Sequence, residues 1–180
     1  MLNAIDRSVE HSNSIVADLL DFSREIHLDL EEYSPKSLIN YVLLAMHLPG
    51  NIRITQKIES EPTIWVDVNK IEKVFTNLVK NAVDAMPNGG TLEISSRQNG
   101  GNVEFVFADT GGGISEDIIG KIFTPLFTTK AQGRGFGLAI CKRIVEAMNG
   151  SITFESQIGK GTTFAIKIPM QSVKSNKQKI

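Results

Sequence analysis

Residues 66–86, VDVNKIEKVFTNLVKNAVDAM, read as a helix that carries two asparagines, Asn77 and Asn81, four positions apart. Asparagine is a poor helix former because its amide competes for nearby backbone groups. Helical periodicity puts the two on one face, from which both amides can point into a wet polar cavity. The alternative is a solvated helix face, since Lys73, Lys80 and Asp84 continue the polar stripe. Three segments lie further on, the first and last of them glycine clusters: ADTGGGI (108–114), IFTPLFTTK (122–130) and GRGFGLAI (133–140). Glycine at a strand end and a helix start lets backbone come close to a ligand, so these segments are expected to surround one cavity. Each alone reads more readily as a plain loop. The common nucleotide motifs fail on spacing. No Lys-Ser/Thr pair follows the last glycine as a P-loop requires, and Leu138 stands where a dinucleotide fingerprint needs its third glycine.

The elements that must hold these residues follow from periodicity. Residues 1–30 contain no proline or glycine, and Ile5, Val9, Ser12, Val16, Leu19, Phe22 or Ser23, Ile26 and Leu30 recur at gaps of three and four. That spacing predicts one long amphipathic helix in search of a partner helix. Ser34-Pro35 opens a second helix as N-cap and first-turn proline. IRITQKI and TIWV read as strands, and the asparagine helix stops at Pro87-Asn88-Gly89-Gly90. TLEISSR and VEFVFAD form a hairpin around Asn99-Gly100-Gly101-Asn102. Residues 110–134 lack clean periodicity, a helix covers about 136–148, and SITFES and TTFAIKI pair around Gly159-Lys160-Gly161. Regular βαβ alternation is missing. The expected fold is therefore α+β: a two-layer α/β sandwich, a mixed sheet with helices on one face, preceded by the long helix.

A formal net charge of −1 over 180 residues gives no bulk attraction to nucleic acid or anionic lipid. No apolar run approaches the ~20 residues that cross a bilayer, and no signal peptide opens the chain. A single cysteine, Cys141, excludes an internal disulfide. It reads as a small buried hydrophobe rather than a reactive thiol. Cytoplasmic placement is the expectation, with membrane attachment only through segments outside this sequence.

Taken in order, Asn77-x-x-x-Asn81-Ala, Asp109-x-Gly111-x-Gly113, the Phe123/Phe127 segment and Gly133-x-Gly135-x-Gly137 resemble the ATP-binding domain of sensor histidine kinases. That domain is part of the wider group shared with DNA gyrase, MutL and a heat-shock chaperone. LLDFSR in residues 1–30 is similar to the second helix of the dimerisation hairpin. The resemblance implies a division into 1–30 as part of that hairpin, 31–170 as catalytic domain and 171–180 as a flexible tail. It implies ATP and Mg²⁺ as ligands, a response-regulator receiver domain as partner, and a homodimer through complete hairpins. Asp109 would accept the adenine amino group, which favours ATP over GTP because guanine presents a carbonyl there. Gly111 and Gly113 would leave room for the base. Asn81 would be the metal ligand, since Mg²⁺ takes oxygen donors and leans on phosphates for charge. Asn77 would support phosphate and water.

The loop between the glycine boxes would close over the phosphates, with Lys130 and Arg134 as its basic groups and Phe123 and Phe127 as anchors. A solvated lysine and two ordinary core phenylalanines are the alternatives. Arg134 either binds the γ-phosphate or caps the lid, because it and Phe136 depart from the family's usual Thr and Leu. Gly133, Gly135, Gly137 and Leu138 would line the phosphate side, and Thr162 would lie near adenine. Asparagine at position 77, where the related ATPases place a glutamate base, favours a kinase over an ATPase or a protein-serine kinase. A docking module without catalysis is the third reading. The family's acceptor histidine is followed by an acidic residue, and His11-Ser12, His27-Leu28 and His47-Leu48 do not match. The acceptor is therefore expected on a hairpin segment outside this sequence.

Overall fold

The computed structural model describes residues 19–20, 22–59, 61–130 and 133–170. The heptad positions Ile5, Val9, Ser12 and Val16, together with His11 and the tail beyond residue 170, lie outside them. A five-stranded sheet runs in the order β2 (Ile52–Ile58), β4 (Gly90–Asn99), β5 (Asn102–Asp109), β7 (Gly161–Pro169), β6 (Ser151–Gln157). β2 is parallel to β4 and every other pairing is antiparallel. The sheet is thus mixed, as the strand order predicts. Only Gly100, the first of the two turn residues between β4 and β5, has positive φ (62°), the signature of a II′ hairpin.

Alternation decides what faces the helices. Val103, Phe105 and Phe107 of β5 and Phe164, Ile166 and Ile168 of β7 are buried, and they share one face by their spacing of two. Asp109 and Thr162 continue those two rows beyond the core, so the same rule that buries the phenylalanines carries a carboxylate and a hydroxyl inward. α2 (Val68–Ala85) lies on this face with Ile71, Val74, Phe75, Leu78, Val79 and Ala82 buried. The Phe75 ring sits 5.0 Å from both Phe105 and Phe107. α1 (Pro35–Ala45) and α4 (Gly137–Ala147) flank α2, and the four-residue α3 (Glu116–Ile119) lies in the segment between β5 and α4. Ser34 caps α1 by accepting from Ser37 N, and Asp67 caps α2 by accepting from Lys70 N.

Two expectations shift. TIWV forms β3 (Ile64–Val66), but it pairs with a short strand, β1 (Glu31–Tyr33), in a separate two-stranded sheet. The first helix is helical at residues 19, 20, 22 and 23 and stops there, so Ile26, His27 and Leu30 fall outside it. Tertiary partners take over the backbone at that point. Arg143 Nη2 donates to the Arg24 carbonyl at 2.9 Å, and Asp29 N donates to Asp67 Oδ2 at 3.1 Å. Residues 31–33 then join β3. The Arg143 guanidinium also stands 4.7 Å over the Phe22 ring, which packs 6.0 Å from Phe136. Cys141 is fully buried, and burial pushes its thiol up to about 12, which bears out the inert reading.

Candidate nucleotide site between α2, α4 and the sheet edge

A cavity of about 1360 Å³ opens where α2, α4 and the 109–137 segment meet. Its walls include Asn77, Asn81, Asp109, Gly113, Phe127, Lys130, Gly133, Arg134, Gly135, Gly137, Leu138 and Thr162. The two glycine clusters, the segment between them and the asparagine helix therefore share one space, with Thr162, 85 positions beyond Asn77, as a further wall. Two expected residues are placed elsewhere. Phe123 is half-buried edge-on against Phe154 at 5.8 Å, away from the cavity, with Lys142 Nζ 5.8 Å from its ring centre. Gly111 stands behind the wall: a Cβ there would come within 2.6 Å of the Ala85 carbonyl oxygen. Its small size seats the loop on the end of α2, where Gly112 N donates to that same oxygen at 3.1 Å.

Asp109 is 9% exposed. Its Oδ1 accepts from Gly111 N at 2.8 Å and Thr162 N at 3.2 Å. Oδ2 takes no hydrogen bond among the described residues. Burial pushes the carboxyl above its ordinary value, against the lowering effect of those two N–H groups. Beside it, Ser156 Oγ accepts from Ile114 N at 2.8 Å and donates to the Gly161 carbonyl at 3.1 Å. Its single proton being spent, the 2.9 Å contact with Thr162 Oγ1 is donated by Thr162. Thr162 thus keeps acceptor capacity. Gly161, at φ 110°, lets β7 pass directly against the Asp109 backbone, where any Cβ would overlap the Asp109 carbonyl oxygen.

On the opposite wall, Asn77 Nδ2 donates to the Lys73 carbonyl at 3.0 Å, which fixes the amide along its own helix. Gly137, the first residue of α4, is close-packed on it: a Cβ there would meet Asn77 Oδ1 at 2.9 Å. Asn81 Oδ1 accepts from Lys130 Nζ at 2.7 Å. The α4 N-terminus carries no side-chain cap, and its first residues Gly137 and Leu138 line the cavity. Lys73, Lys80, Lys130 and Arg134 put positive charge around this end. Ile114, Ile118, Ile122 and Phe164 supply an apolar lining that sequence reasoning missed, as it missed Ser156 and Gly161. The tight Gly159-Lys160-Gly161 turn does carry a signal for Ser156, because it pairs Ser156 with Thr162 across β6 and β7.

A nucleotide-sized cavity thus lies between a mixed sheet and the helices on its one face, walled by one buried carboxylate and two helix-borne amides. Residues 66–172 match the family described as histidine kinase-, DNA gyrase B- and HSP90-like ATPase, and the chain belongs to it. Among its relatives is the sensor histidine kinase ZraS of Escherichia coli K12, 34% identical over 176 residues that cover 96% of this chain and 38% of ZraS. Sporulation kinase E of Bacillus subtilis is 29% identical over 94% of this chain and 24% of its own. The chain thus spans well under half the length of these relatives. Among solved structures, full-length ShkA in complex with AMPPNP aligns with TM-score 0.80 and 28% identity over 95% of this chain and 38% of that one. The histidine kinase ThkA in complex with the response regulator protein TrrA gives 0.76 and 29% over 96% and 51%.

Proposed function

We propose that the chain binds Mg·ATP in this cavity and passes the γ-phosphoryl group to a histidine on a dimerisation hairpin, for relay to a response-regulator receiver domain. The observation that carries the reading is Asp109. Two backbone N–H groups hold Oδ1 and leave Oδ2 for a ligand's donor, which matches the amino group of adenine and opposes the carbonyl of guanine. Thr162 adds a hydroxyl acceptor beside it, and the apolar residues give the base its bed. The uncapped α4 N-terminus and the surrounding lysines suit phosphate oxygens. ShkA, solved with AMPPNP, and ThkA, solved with a response regulator, support the ligand and partner assignments.

Asn77 cannot take a proton from water, so the cavity favours a protein nucleophile over hydrolysis. In the transfer, an unprotonated imidazole nitrogen attacks the γ-phosphorus as the bond to the β–γ bridging oxygen breaks. ADP leaves, and the ring then sheds its other proton. Little covalent help is needed from the protein, and positioning and charge stabilisation do most of the work. Mg²⁺, when bound, would neutralise phosphate charge. Among the described residues no group of three or more His, Cys, Asp or Glu could hold a metal, so Asn81 would share the ion with phosphate and water, as Mg²⁺ prefers. Lys130 and Arg134 would stabilise the transferring group, and Phe127 would steady their segment. The same reading takes residues 1–30 as hairpin, with its helix ending by Arg24, 31–170 as catalytic domain and 171–180 as tail. It takes the protein as a cytoplasmic kinase unit, dimeric through complete hairpins. No helix among the described residues is long and apolar enough to cross a membrane.

Two experiments test it. Asn81→Ala should remove the Mg²⁺-dependent part of ATP binding in calorimetry while circular dichroism stays native, because losing a polar side chain from a wet face costs little stability. An unfolded variant would make the asparagine structural. Incubation with radiolabelled ATP should leave the chain unlabelled by itself and label an added hairpin carrying a His-Glu or His-Asp pair. Acid-labile label on the chain alone would reinstate its own histidines, and an unlabelled cognate hairpin would favour the docking module.

A further inference from the structure

Lys130 reaches from the segment between the glycine boxes to α2, where its Nζ donates to Asn81 Oδ1 and to Asp84 Oδ2, both at 2.7 Å. One cation therefore bridges a neutral amide oxygen and a carboxylate about one helical turn apart, and both residues line the cavity. These are hard oxygen donors of the kind Mg²⁺ takes, and the ammonium group demonstrates that the pair gathers positive charge. We propose that Asp84 is the anionic arm of the metal site at Asn81, and that Lys130 is a tethered cation which a divalent ion must displace. The proposal rests on the reading that Asn81 holds Mg²⁺, and it assigns Asp84 and the resting position of Lys130.

The exchange follows from charge and geometry. An ammonium and a divalent ion cannot occupy the same two oxygens, since each would bring its positive charge against the other. The ion pair is half exposed, with side-chain exposures of 45% for Lys130 and 53% for Asp84, so solvent screens it and it is held weakly enough to give way. Once released, the Lys130 ammonium lies in a cavity where a triphosphate is the strongest remaining anion. Metal loading and delivery of the lysine to phosphate become a single event. Without metal, Lys130 instead ties its own segment down onto α2.

Mn²⁺ alone, titrated without nucleotide into the full chain and followed by electron paramagnetic resonance, separates the two residues by sign. Lys130→Gln removes the competitor and should tighten Mn²⁺ binding by about threefold, the scale of an exposed ion pair. Asp84→Asn removes the carboxylate and should weaken it by about tenfold, the scale of one charge acting across a partly screened site. In the double variant the gain from Lys130→Gln should shrink, because its target is incomplete. Added salt should shrink it as well. With nucleotide, Asp84→Asn should move the Mg²⁺ dependence of ATP binding to higher Mg²⁺, while ATP binding without metal should not weaken, because the variant frees Lys130 for phosphate. If both single variants bind Mn²⁺ like the parent while Mg·ATP still depends on Asn81, Asp84 is a surface partner and the proposal falls alone. If the parent binds neither Mn²⁺ nor Mg·ATP, the Asn81 reading falls with it.

Discussion

Asp109→Asn is expected to lower ATP affinity roughly tenfold to a hundredfold, the range of a lost charge-assisted hydrogen bond of about 1.5–3 kcal/mol. The nucleotide-free domain should lose no stability at neutral pH. The asymmetry follows from how the carboxylate is held. An asparagine can keep its oxygen on Gly111 N and Thr162 N, as Oδ1 does now. Its Nδ2 then stands where Oδ2 was, and a donor meets the adenine amino donor. Guanine presents an oxygen at that place, so the variant should also narrow the gap between ATP and GTP. Calorimetry with both nucleotides checks this; an unchanged ATP affinity would remove Asp109 from the base site.

The stability half is a matter of linkage. Burial raises the Asp109 carboxyl above its ordinary 3.8 in the folded state. A group raised on folding contributes stability that is fully present below the unfolded value and lost as pH rises through the folded one. Once ionised, the parent's carboxylate therefore opposes the fold relative to its protonated form. The variant does not carry that charge. Its stability relative to the parent should grow as pH climbs from about 3.8 through the raised value and level off above it. Urea midpoints measured across that window report the difference. A variant markedly less stable than the parent at pH 7 would mean that the charge itself holds the loop.

Gly161→Ala should cost roughly 3 kcal/mol of stability, from backbone strain of about 1–3 kcal/mol plus the displacement a Cβ forces on its neighbour. Gly161 sits at φ 110°, outside the range of L side chains, and its Cβ position is occupied by the Asp109 carbonyl oxygen. The strand end can escape only by moving β7 away from β5, which takes Thr162 N off Asp109 Oδ1. Whatever fraction still folds should bind ATP poorly. Gly101→Ala is the control, since nothing lies within 4 Å of its Cβ position and its φ is not positive; it should stay within about 0.5 kcal/mol of the parent. Equal urea midpoints for the two variants would show that β5 and β7 can separate there without cost.

What could be read from the chain directly was whatever depends on near neighbours. The period of 3.6 residues gave α2 and α4 to within a few residues, and Asn77 and Asn81 shared a face because four residues are about one turn. The period of two gave the strands around the Gly100 and Gly159 turns. The order of four boxes pointed to one cavity, since each box carries its own local signature. The first helix was read too long because Ile26 and Leu30 keep its spacing. What ends it is the Arg24 carbonyl bound by Arg143, the Asp29 amide bound by Asp67 and the pairing of β1 with β3, all contacts across long stretches of chain.

Phe123 and Phe127 look alike in IFTPLFTTK, yet one packs on Phe154 and the other lines the cavity. No local pattern distinguishes them in a segment without regular structure. Gly111 and Gly161 show the same limit. Glycine signalled a close approach at Gly111 and only a turn at Gly161, while the thing approached, Ala85 in one case and Asp109 in the other, is set by how α2 and β7 come to rest on β5. The chemistry-bearing residue types and their order belonged to the sequence by itself. Which oxygen of Asp109 is left for a ligand, and which cation rests on Asn81, were decided only by the tertiary structure, because a hydrogen bond is a matter of a few tenths of an ångström between groups that the chain brings together from afar.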